Sequence, residues 1–138
     1  MFFSKKVDNN NETNLVKVAA LLIHTAKIDE NYSLEEEAII KETLSNLGAE
    51  KNNLNTLLEK AKEKEKDANQ ILDFTREVKN LKETDKIKII KSLWKIIYSN
   101  KNADMYETNL MRRLAGLLYI DSKVMGDIKE EIKNEKLR

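Results

Sequence analysis

Residues 14–48, NLVKVAALLIHTAKIDENYSLEEEAIIKETLSNLG, read as two amphipathic helices joined by an acidic turn. Leu15, Val18, Ala19, Leu22, Ile23 and Ala26 recur at the three- and four-residue spacing that lines one helix face, with Thr13 in front of them as the expected N-cap. After the turn, Ser33 followed three residues later by Glu36 has the pattern of a capping box, in which each side chain satisfies the other residue's backbone N–H. Leu34, Ala38, Ile39, Leu44 and Leu47 carry the second apolar stripe, and Gly48 supplies the residue type that ends helices in the left-handed conformation. The fold is therefore built from helical hairpins.

Working outward, the polar, asparagine-rich residues 1–12 are expected to form a flexible arm, and 13–138 a single helical domain. A third helix carries Leu54, Leu57, Leu58 and Ala61 into the charge run KEKEKDANQ, which reads as a solvated face or a frayed end. ILDFTREVKNL is a shorter connecting helix with Ile71, Phe74 and Val78 on one stripe. Beyond Thr84 the pattern restarts. A shift of 71 residues lays Val18 on Ile89, Ala19 on Ile90, Leu22 on Leu93, Ile23 on Trp94, Ala26 on Ile97, Leu47 on Leu118, Leu57 on Ile128 and Ala61 on Ile132. Ser33 and Glu36 fall on Asp104 and Glu107, a second capping box. The expected fold class is all-α, about seven helices, with a duplicated three-helix unit related by a pseudo-twofold and one shared core.

Composition agrees and narrows function. There is no proline, only three glycines, and 36% of residues are charged, which suits helices with solvated outer faces. A formal net charge of +1 provides no global field for nucleic acid. The absence of cysteine removes disulfides, thiolate zinc sites and cysteine nucleophiles. MFFSKKVDNNNET lacks the apolar core of a secretory signal, and no apolar run approaches the roughly 18 residues of a membrane span. A cytoplasmic location is expected. Glycine-rich phosphate loops and nucleophile elbows are absent, so no enzyme is expected.

The second unit, LWKIIYSNKNADMYETNLMRRLAGLL at 93–118, carries a family resemblance. Leu93 and Trp94, then a turn, then Tyr106 and Glu107 leading into Arg112 and Arg113, resemble the TerB-like domain of tellurite resistance, a fold also found as the N-terminal domain of the DjlA co-chaperone. The first unit matches through Asp29, Glu36 and Ile39. The resemblance covers about residues 13–134. It implies an all-helical fold, an acidic cluster that binds divalent cations, and a link to membrane-associated stress responses. The family's turn glycines are replaced by Glu30 and Lys101, and its second turn aspartate by Asn100.

Under that implication, Asp29, Glu36 and Glu107 are the expected ligands for calcium, magnesium or zinc, with Asn31 or Asn102 as neutral donors. The competing expectation is that Glu36 and Glu107 only fold back onto their capping residues. An EF-hand is excluded, because counting from Asp29 places Leu34 at the glycine position and Ile40 at the last ligand position. Paired Glu-x-x-His di-iron chemistry fails with one histidine, His24, which is expected at the edge of the core. Trp94, Tyr98 and Tyr106 are candidate partner-binding anchors. In KIKIIKSLWKII, three of Lys86, Lys88, Lys91 and Lys95 are expected on different sides of a helix, as a solvated face rather than a phosphate or membrane contact. The expected function is a non-enzymatic TerB-like binding or scaffold module linked to a divalent cation. Its alternative is a metal-free protein-interaction domain using the aromatic patch. A protein partner, peripheral membrane association and a homo-oligomer are each compatible with it.

Overall fold

A computed structural model describes the backbone of residues 2–27, 33–67, 72–99 and 103–136, and the side chains of 12–27, 33–66, 72–99 and 109–135. It is all-helical over these residues: α1 (Phe2–Ala26), α2 (Leu34–Asn46), α3 (Leu54–Asp67), α4 (Leu72–Lys79), α5 (Glu83–Ser99), α6 (Ala103–Leu117) and α7 (Ser122–Lys136), with a 3-10 turn over Lys51–Asn53 leading into α3. One boundary differs from expectation: α1 runs back to Phe2, so Thr13 lies inside the helix rather than capping it. No proline or glycine interrupts residues 2–26, so nothing in the covalent chain stops the helix. Glu12, at the edge of the expected arm, is ion-paired to Lys60 on α3. Helix α3 likewise continues through its charge run to Asp67.

Helix α1 packs on α2, α3, α4 and α5, and α5 packs on α1, α2, α6 and α7. The apolar core lies between these two helices and their neighbours. The residues paired by the 71-residue shift occupy it together: Val18 and Ile89, Ala19 and Ile90, Leu22 and Leu93, Leu57 and Ile128, Ala61 and Ile132 are all buried. Helix α4 places Phe74 and Val78 in the same core and packs on both α1 and α6.

The ends of α2 and α6 share one hydrogen-bond pattern. Ala49 N donates to Leu44 O (2.9 Å) and Gly48 N to Ser45 O (3.0 Å); 71 residues on, Ile120 N donates to Ala115 O (2.9 Å) and Tyr119 N to Gly116 O (3.3 Å). This is the Schellman arrangement, which needs a left-handed residue just past the helix. Gly48 supplies it with φ 106° and Tyr119 with φ 56°. Side chains from α5 reach the same two ends. The Lys86 ammonium donates to Leu118 O (3.3 Å) and Lys88 to Asn46 O (3.2 Å), placing cations at the negative termini of α6 and α2.

Candidate functional site

The α1–α2 corner is fixed by the start of α2. Ser33 is the N-cap, with extended backbone, and its hydroxyl accepts from Glu36 N (3.1 Å). The Glu36 carboxylate folds back to accept from Ser33 N (2.9 Å) and from the Ser33 hydroxyl (3.1 Å). Glu36 is only 3% exposed. Its negative charge is stabilised there by the backbone N–H groups of the helix start, as is that of Glu35 and Glu37 in the same turn. Of the expected cation ligands, Glu36 alone has a described side chain. Asp29 and Asn31 lie outside the described residues, as do Asn102 and the side chains of Asp104 and Glu107. Among the described residues no group of three or more carboxylates or imidazoles comes together as a metal would require.

The aromatic pair is placed differently from expectation. Trp94 stacks on Tyr98 with ring centroids 5.9 Å apart. However, Trp94 is 97% buried, since only 3% of it is exposed, and Lys129 from α7 covers its ring at 5.7 Å. An anchor needs an exposed face, so Trp94 acts as core, as Ile23 does 71 residues earlier. Its indole N–H finds no acceptor among the described residues. Tyr98 is half-buried against the core, and the Tyr106 side chain lies outside the described residues. His24 sits at the rim as expected, with Nδ1 3.4 Å from Glu65, which also receives Lys27 at 2.9 Å.

The lysines of α5 also depart from expectation. Lys86 is buried, and Lys88, Lys91 and Lys95 share one face, where with Glu42, Thr43, Asn46 and Ser92 they line a cleft of about 70 Å³ between α2 and α5. The spacing 88, 91, 95 is that of a single helical stripe. Lys88 also lies 3.8 Å from Asp85 and Lys91 3.3 Å from Glu131, so carboxylates offset these cations. Arg112 and Arg113 are exposed on α6. A further surface feature is the groove between α4 and the end of α6, which holds exposed Leu72 and Tyr119. Its sequence signal is Tyr119 itself, standing where the shift puts the counterpart of Gly48.

Helices packed around one apolar core, with a capping box at the start of α2, define an all-α domain over the described residues. The family model described as tellurite resistance protein TerB matches residues 15–130, and the chain belongs to that family. No curated protein and no solved structure matches it. No helix among the described residues is long and apolar enough to cross a membrane.

Proposed function

We propose that the chain is a non-enzymatic binding module of the TerB family that engages a protein partner without requiring a cation. One observation carries this reading: among the described residues, the buried hydroxyl and charged side chains serve the bundle itself. Thr25, Thr43, Thr75 and Ser92 each donate to a backbone carbonyl of the preceding turn, Lys86 closes the end of α6, and Glu36 closes the start of α2. Groups held this way are poor acids, bases or nucleophiles, because reaction would break a bond that the fold uses. An ion recruiting Glu36 would have to take it from Ser33, whereas a hard cation calls for six or more oxygens converging on an open site.

Asp29, Glu36 and Glu107 are the residues that would hold calcium, magnesium or zinc if the family's cation were bound. Calorimetric titration with the three ions tests this. The expected outcome is no saturable heat with any of them, and capture of the same partner from lysate with and without chelator. Saturable binding that disappears in Asp29→Ala, together with loss of the partner in chelator, would replace this reading with the cation-linked one.

A further inference from the structure

The groove between α4 and α6, about 230 Å³ in volume, is lined by Leu72, Thr75, Arg76, Lys79, Leu117 and Tyr119, with Gly116 beside them. Two of its side chains are large, apolar or aromatic, and unusually open: Leu72 is 42% exposed and Tyr119 74% exposed. Lys79 holds its ammonium 5.0 Å over the Tyr119 ring. Among the described residues the lining contains two cations and no carboxylate. The acids of α4 turn elsewhere, since Asp73 and Glu77 both pair with Lys17 of α1, at 3.6 and 3.1 Å. Leu72, Arg76 and Lys79 share one side of α4 at four- and three-residue spacing, so this short helix separates its charges by face. On α6, exposed Arg112 and Arg113 stand four residues before Gly116 and Leu117 and extend the basic character along the helix. The backbone adds an independent sign. A tyrosine occupies a left-handed position at φ 56°, where the matching end of α2 has glycine. A non-glycine residue thus holds a left-handed backbone at the rim of this groove.

We propose that this groove docks an acidic peptide segment of a partner protein. One apolar side chain of the segment inserts among Leu72, Leu117 and Tyr119, and flanking carboxylates pair with Arg76 and Lys79. The inference rests on the reading of the chain as a binding module and adds the location and chemistry of its partner. Arg and Tyr are the side chains that interfaces favour as anchors, and a guanidinium takes a carboxylate through two parallel bonds. The concavity accommodates a side chain or two, whereas a bilayer is met by a convex apolar face rimmed with bases.

The test uses the full chain, immobilised and offered a displayed library of random peptides about 12 residues long, enough to span such a groove. Enrichment of sequences with Asp or Glu around Leu, Phe or Trp is expected. The best of them, synthesised and followed by fluorescence anisotropy, should bind Arg76→Glu and Tyr119→Gly roughly tenfold or more weakly and Lys95→Glu, in the α2–α5 cleft, unchanged. Tyr119→Gly should melt no lower than the parent, which separates lost docking from lost folding. A library yielding no acidic sequences overturns the proposal. So does self-association that Tyr119→Gly abolishes in the absence of peptide, or binding to phosphatidylserine vesicles that Arg76→Glu abolishes. Acidic peptides that bind Arg76→Glu as well as the parent would remove this groove while leaving the binding-module reading intact.

Discussion

Gly48 and Tyr119 make the same turn at different cost. A side chain in the left-handed region crowds the following carbonyl by about 1–2 kcal/mol, partly offset by the greater chain entropy of an unfolded glycine. Tyr119→Gly is therefore expected to raise stability by about 0.5–1 kcal/mol, and Gly48→Ala to lower it by about 1 kcal/mol, both read by urea denaturation. A Cβ at Gly48 would meet nothing within 4 Å, so any loss there comes from the backbone alone. Ser33 offers a second measurement at this scale. Ser33→Ala removes the hydroxyl that accepts from Glu36 N, an expected loss of about 1 kcal/mol, and the Ser33→Ala, Glu36→Gln double variant should lose less than the sum of the two single changes. Strict additivity would show that the two residues act separately.

Between elements, the contact of the Thr43 hydroxyl on α2 with that of Ser92 on α5 is a buried polar link, beside the exposed bond from Lys88 to Asn46 O across the same interface. The positions matching them 71 residues away are Leu114 and Leu21, both fully buried. An apolar pair is thus accommodated at the equivalent place. Thr43→Val alone removes one hydroxyl of the pair while Ser92 keeps its bond to Lys88 O, and should cost about 1 kcal/mol, while Thr43→Val with Ser92→Ala should recover part of that in a double-mutant cycle. Helix order, most of the apolar stripes and the caps at Ser33 and Gly48 were legible in the sequence because they are local patterns of period 3.6 and of end chemistry, but on α2 the expected stripe residues Leu34 and Ala38 are exposed, Leu34 by 84%, and Ile40 is buried instead. The length of α1 was not, since asparagine-rich sequence has weak helix propensity. Nor was the role of Trp94, because a buried and an exposed aromatic produce the same spacing. The three lysines of the α2–α5 cleft required knowing which face of α5 meets α2. The groove beside Tyr119 required the pairing of α4 with α6, two elements far apart along the chain.

For the whole molecule, the wedge formed by α4 is the sharpest test of a single shared core. Phe74 is 1% exposed and sits on a helix of eight residues that packs on α1 and α6. Phe74→Ala should cost about 3–5 kcal/mol while retaining one cooperative transition by both circular dichroism and tryptophan fluorescence; separated transitions would mean that the two units unfold independently. Because Lys86 and Lys88 of α5 hold the carbonyl ends of α6 and α2, and the same helix also touches α1 and α7, α5 behaves as a keystone. Its central amides, around Ile89 to Leu93, should be the last to exchange with deuterium, at a rate set by global opening rather than by local fraying. The described helices then have no half that loosens alone, and whatever the chain binds meets them as one body.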